Sequence, residues 1–272
     1  MTELPVRYTD SLAPGEISRE LQPVISTLSL EDNCRELAEE GWTVIENIAG
    51  SEFNQRFRDN LLELCDGYPG RQMLLAEDPL IAEAVLDPRL VALAEFSVGR
   101  GFLLSQVAAS VRGKGSPVIG LHADNNWLPA PFPEHNMLLT ACWACDDYSE
   151  PGGSTLIIPG SNKQKRHPND EEIEALDGAV AIECPAGSVV LWDGNIWHSN
   201  YPRNLEAERV VCHITYTRLA MRPVEDYAAV ASELIETHGG VMAQMLGRDD
   251  FLFSAKGADY RKLNQTFNNA KR

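Results

Sequence analysis

The chain has 272 residues, 44% hydrophobic and 23% charged, with 40 acidic against 23 basic side chains and a formal charge of −17. That is the balance of an ordinary globular protein long enough to bury a sizeable core. It excludes the basic footprint of a nucleic-acid binder and works against anionic membrane surfaces, and no stretch approaches the ~18 consecutive apolar residues of a membrane span.

The N-terminal MTELPVRYTDSLAPGE lacks the apolar core of a signal peptide, and the C-terminal NNAKR is not a peroxisomal address. Six cysteines (Cys34, Cys65, Cys142, Cys145, Cys184 and Cys212) are scattered without the spacing of a disulfide framework, which predicts a cytoplasmic protein.

In chain order, residues 30–46 predict a helix stopped at Gly41 and then a short strand, WTVIE. Residues 51–66 predict a helix with Ser51 as N-cap. Residues 78–97 predict two more short helices, each opened by Asp-Pro. From about residue 101 the texture changes. FLLSQVAASV, NMLLTACWACD, STLIIPGS, AVAIECPAG, SVVLWDG and RVVCHITYTR are short β-rich runs separated by Gly, Pro, Asn and Asp. Such a series predicts an antiparallel sandwich or barrel. Residues 224–247 predict a return to helix. No repeat, low-complexity tract or linker divides the chain. The expectation is one domain over 1–272, with helices to about 100, a β core over about 101–220 and a helical cover over about 221–272.

Residues 120–127 read GLHADNNW, so ionisable side chains stand at the end of an apolar run. On an extended strand His122 and Asp124, two apart, project to the same face. An imidazole and a carboxylate together suit a divalent first-row metal. A third ligand is expected in His198, which follows the strand and turn SVVLWDGN. Two histidines and a carboxylate on one side of a metal leave positions open for a chelating cosubstrate and dioxygen, the pattern of non-haem Fe(II) oxygenases. Arg209 opens the next strand eleven residues later. A guanidinium at the mouth of a buried cavity is costly unless it meets an anion, and its fork fits the distal carboxylate of 2-oxoglutarate. His213 shares the face of Arg209 and is the rival third ligand.

These residues resemble the phytanoyl-CoA dioxygenase family of Fe(II)/2-oxoglutarate oxygenases. The resemblance rests on HAD (122–124), GGSTLIIPGS (152–161), GSVVLWDGNIWHSN (187–200), Arg209 and the opening ELAEEGWTVIENI (36–48), and covers roughly residues 30–220. Asn162 stands where the family often has a histidine after PGS, a departure that bears on local structure or substrate, not on iron. The resemblance implies a mostly β protein with flanking helices around a double-stranded β-helix, of the jelly-roll or cupin-like kind. It implies an oxygenase holding Fe(II) by His122, Asp124 and His198, with 2-oxoglutarate and O2 as cosubstrates, oxidising a C–H bond of a small-molecule metabolite. Hydroxylation stands first among outcomes; desaturation, cyclisation and epimerisation use the same site, and halogenation is disfavoured because Asp124 is present. Thr140 lies where relatives carry a hydroxyl donor near the cosubstrate, with an ordinary strand hydroxyl as the plain reading. Gln106 matches a polar position that faces the site in relatives, and the resemblance implies that it joins Arg209 and Thr140 at the cosubstrate.

Trp127 and Trp197 flank the two ligand segments and read either as a substrate wall or as core. Asn126 and His135 read as substrate contacts or loop residues. His167 and His238 read as surface residues, CWAC (142–145) as packing cysteines, and Lys163, Lys165 and Arg166 as a solvated loop. Two other readings of the whole remain: a cupin-like hydrolase or isomerase using another metal, and a non-catalytic binding protein on the same fold.

Overall fold

In the computed structural model, residues 12–249 are described. The N-terminal third is helical apart from two short strands: α1 (Gln22–Leu28), α2 (Glu31–Glu39), β1 (Trp42–Ile45), α3 (Ser51–Cys65), β2 (Gly70–Arg71), α4 (Pro79–Val85) and α5 (Pro88–Val98). Gly41, at φ +82°, supplies the left-handed turn between α2 and β1. Asp78 and Asp87 cap α4 and α5 by accepting from the amides of Leu80 (2.8 Å) and Arg89 (2.9 Å). Ser51 is not the cap of α3: the helix starts on it, and Gly50 holds the N-cap position with no side-chain bond.

The strands follow as β3 (Leu103–Arg112), β4 (Leu138–Ala144), β5 (Thr155–Ile157), β6 (Val180–Ala181), β7 (Ser188–Asp193), β8 (His198–Asn200) and β9 (Arg209–Thr217), with α6 (Asp170–Ala175) between β5 and β6. Six of them form one antiparallel sheet in the order β1-β7-β4-β9-β3-β2, and three form a second in the order β6-β5-β8. The two sheets face each other, as a double-stranded β-helix requires. Cys142, Ala144, Val190, Trp192 and Val211 of the larger sheet share a buried cluster with Ile157 of the smaller one.

Strand alternation divides the large sheet between two tasks. Leu139, Ala141 and Trp143 of β4, with Val210, Cys212, Ile214 and Tyr216 of β9, join the helices in the main core. Thr140 and Cys142, and Arg209, Val211, His213 and Thr215, point the other way, between the sheets. Trp143 shows how the helices are held: its ring meets Phe53 and Phe57 of α3 at 5.7 and 5.3 Å, and its indole N–H donates to Asn54 Oδ1 at 3.1 Å. The amide of Asn54 donates in turn to the carbonyl of Cys145 at 3.0 Å.

The C-terminal cover differs from expectation. Helix begins only at α7 (Ala231–His238), followed by α8 (Gly240–Met245). Residues 224–230 are irregular because Glu225 is buried and committed elsewhere. Its carboxylate accepts from the amides of Met73 and Val107, both at 2.8 Å, and from the Tyr227 hydroxyl. The backbone amides of Val224 and Glu225 are spent on Ser105. The part of the expected cover beyond residue 249, the C-terminal NNAKR and the first eleven residues of the N-terminal stretch lie outside the described residues. Among the described residues no helix is long and apolar enough to cross a membrane.

Asn54→Ala leaves the Trp143 N–H and the Cys145 carbonyl buried without partners. We expect it to lower stability by about 2–4 kcal/mol, read as a fall in the urea midpoint at unchanged slope. A change below about 0.5 kcal/mol would show that water replaces the amide.

Candidate metal centre and anion pocket

His122 and Asp124 do not sit on a regular strand. His122 forms an isolated antiparallel bridge with His198, their backbones bonding in both directions at 3.0 and 2.9 Å, and this extends the smaller sheet by one residue. The chain then turns: the amide of Asn125 donates to the carbonyl of Gly194, and that of Asn126 to Asp124. The bridge brings the two imidazoles to a centroid separation of 4.3 Å. Both Nε2 atoms face one oxygen, Asp124 Oδ1, at 3.7 Å from His122 and 3.5 Å from His198. One ligand atom from each of the three residues fits within 4.8 Å of the others.

The surroundings settle which atoms are available. His122 Nδ1 lies 2.8 Å from the carbonyl of Gly120, and His198 Nδ1 lies 3.2 Å from that of Ile196. A carbonyl only accepts, so each Nδ1 carries a proton, which in the neutral imidazole leaves Nε2 as the ligand atom. Asp124 Oδ2 accepts from Trp192 Nε1 at 2.9 Å and Thr140 Oγ1 at 3.0 Å, leaving Oδ1 for the histidines. Burial alone would raise this carboxyl. The imidazoles of His198 and His122 and the two donors outweigh it and hold Asp124 below the ordinary carboxylate value. Burial holds His198 below the ordinary imidazole value, against the pull of Asp124. Two imidazole Nε2 atoms and an ionised, oriented carboxylate are the donor set that a divalent first-row ion takes.

The three side chains open on a cavity of about 270 Å³ between the sheets. Arg209 and Arg112 line it, as do Gln106 and Thr140, with Asn126 and the largely exposed Trp127 at its rim. Arg209 is 3% exposed. It donates to the carbonyl of Gly153 and lies over the Tyr148 ring at 5.1 Å, its Nε has no partner, and among the described residues no carboxylate pairs with it. A buried cation without an acid is a site for an anion. His213 also lines the cavity but lies outside the ligand cluster. Burial, with Arg209 close by, pushes its imidazole down to about 4, so it is neutral at pH 7.

Two expected pocket residues lie elsewhere. Trp197 is in the core with Leu121, Ala123, Phe132 and Leu156, its indole N–H spent on the carbonyl of Arg166. Alternation explains it: His198 points into the cavity, so its neighbour points away. His135 lines a separate cavity and bonds the carbonyl of Leu12 at 2.9 Å. Thr140 faces the site, but its donor proton goes to Asp124. Trp192 and Arg112 were missed. Trp192 stands opposite Thr140 in the β4–β7 register, and Arg112 opposite Arg209 in the β3–β9 register. Parity along SVVLWDG and SQVAASVR could have placed both inward, once the register was known.

The family model described as phytanoyl-CoA dioxygenase matches residues 39–205. A protein named dioxygenase af480 from Aspergillus fumigatus is 27% identical over 252 residues, covering 85% of this chain and 81% of that protein. The fold is that of HygX from Streptomyces hygroscopicus, solved with nickel and 2-oxoglutarate bound. The TM-score is 0.59 at 20% identity, covering 75% of this chain and 88% of that one. For HygX with iron bound the TM-score is 0.59 at 19% identity, covering 79% and 94%.

Trp192→Phe and Thr140→Val each remove one bond to Asp124 Oδ2. We expect each to weaken divalent-metal binding by about 10- to 100-fold while the protein stays folded, measured by anaerobic calorimetry with Fe(II). Unchanged affinity in both variants would show that the carboxylate needs no such support.

Proposed function

The chain belongs to the phytanoyl-CoA dioxygenase family of Fe(II)- and 2-oxoglutarate-dependent oxygenases, and from that premise we propose that His122, Asp124 and His198 hold the iron while Arg209 receives the distal carboxylate of 2-oxoglutarate. The observation that carries this reading is the pairing, in one cavity, of a metal-ready donor triad with a buried guanidinium that has no acid.

When bound, Fe(II) with 2-oxoglutarate and O2 supplies oxidation of a substrate C–H bond, coupled to release of succinate and CO2. The chain's own residues do the rest. The carbonyls of Gly120 and Ile196 fix both histidines in the tautomer that presents Nε2. Trp192 and Thr140 hold the carboxylate so that Oδ1 faces the same point. Arg209 orients the cosubstrate by its far end.

The substrate is a small-molecule metabolite. Gln106, expected at the cosubstrate, stands six residues along β3 from Arg112 and instead joins Asn126 and Trp127 in lining the part of the cavity available to the substrate, with Trp127, 69% exposed, as an apolar platform at the rim. The formal charge of −17 supports a protein that binds no nucleic acid. The six cysteines are all free and buried, which supports a reducing, cytoplasmic setting. The chain acts as one oxygenase domain: helices before β3 and after β9 share a single core with the larger sheet.

His198→Ala should lose iron binding and turnover, whereas His213→Ala should keep its iron. The reverse result, read by metal analysis of the purified variants, would make His213 the third ligand. Arg209→Ala should retain iron and raise the KM for 2-oxoglutarate by on the order of 30- to 1000-fold, since a buried charge-assisted pair is lost. Succinate release at varied 2-oxoglutarate measures it, and an unchanged KM removes the anchoring role.

A further inference from the structure

Arg112 closes β3 on the inner face of the large sheet, where it is the direct cross-strand partner of Arg209. Like charges placed directly opposite on adjacent strands destabilise a sheet. Here neither is relieved by an acid: among the described residues no carboxylate pairs with Arg112 or Arg209, and both guanidinium groups donate to backbone carbonyls, Pro117 for Arg112 (2.6 Å) and Gly153 for Arg209. Burial and the neighbouring Arg209 hold Arg112 below its ordinary value, so the two cations compete. A pair of this kind is stable when an anion sits between its members.

Position along the strand says which anion. From Gln106 to Arg112, β3 runs about 20 Å. The two arginines therefore occupy one end of the cavity, with Tyr148 beside them, while Gln106, Ser105 and Val224 line the other end. Among the described residues no other Lys or Arg lines this cavity, and Asp124 is the one carboxylate that does. Resting on the assignment of Arg209 above, we infer that Arg112 is a second guanidinium on the distal carboxylate of 2-oxoglutarate: the cosubstrate end of the cavity is a two-arginine clamp that selects a diacid. Arg112 positions the cosubstrate and takes no part in the reaction itself. The clamp also uses up the cavity's positive charge, so the substrate end selects for a molecule without an anionic group at the oxidised position.

Anaerobic calorimetry of the Fe(II) protein with two probes tests this. One is 2-oxoglutarate. The other is 2-oxovalerate, which keeps the chelating head and has a methyl in place of the distal carboxylate. Arg112→Gln is expected to weaken 2-oxoglutarate binding by about 10- to 100-fold and to leave 2-oxovalerate within about twofold of the unmutated protein. Arg112→Lys should restore part of the loss. Binding of 2-oxovalerate doubles as the check that the variant is folded around its metal. Full affinity for 2-oxoglutarate in Arg112→Gln overturns the inference, as does an equal loss for both probes, which would mean that Arg112 only supports the loop at Pro117. If Arg209→Gln weakens 2-oxoglutarate and Arg112→Gln does not, the clamp is wrong and the single anchor stands. If neither substitution matters, the anchor reading fails as well.

Discussion

A carboxylate has two oxygens, and the fold uses those of Asp124 for different purposes. Oδ2 is fastened to the larger sheet through Trp192 on β7 and Thr140 on β4. Oδ1 is left to two imidazoles carried by the smaller sheet's edge and its one-residue extension at His122. The centre therefore exists only while both sheets hold their spacing. The surrounding packing can be read as maintenance of that spacing: an apolar seam between the sheets below the site, and helices pressed on the outer face. Preorganisation of this kind is where a metal enzyme's protein does its part, since the ion's chemistry is its own while the orientation of its ligands is not.

The cavity also separates charge by position. Among the described residues that line it, negative charge is confined to Asp124 and positive charge to the paired arginines of β3 and β9, and the histidine between them is driven neutral by burial and by Arg209. A molecule with a carboxylate at one end and a metal-binding head at the other is complementary to that layout in both sign and direction. The rest of the lining is amide, hydroxyl, aromatic and aliphatic, and gives a second molecule shape and hydrogen bonds in place of charge.

Much of this was legible in the sequence where a local rule governs the outcome. Asp-Pro announces both capped helices, Gly41 marks the stop before β1, and the alternation in MLLTACWA separates inner from outer residues. His122, Asp124, His198 and Arg209 could be named because ligand chemistry restricts which side chains serve. What escaped depends on partners far along the chain. Trp192 and Arg112 matter only through the residues opposite them in register. His122 leaves strand geometry because its partner is a single histidine seventy-six residues on. The helix expected from residue 224 is displaced because a buried glutamate answers to amides on two other segments. Trp197 stayed open between substrate wall and core, and only its place beside an inward-pointing His198 decides for the core, since one step along an extended chain reverses a side chain's direction.

The two-faced strands carry a consequence for how such a protein can change over time. On β9, Arg209, His213 and Thr215 serve the cavity and Val211 the seam between the sheets, while Val210, Cys212, Ile214 and Tyr216 serve the core. Point substitutions can therefore drift on one face with little effect on the other. A single-residue insertion or deletion within the strand has no such freedom. It would turn every following side chain over, driving an imidazole into aliphatic packing and aliphatic groups into the chemistry. Descent with changing length must be channelled into the connections, such as the stretch between β3 and His122 or between β8 and β9, while the paired strands accept only replacement in place.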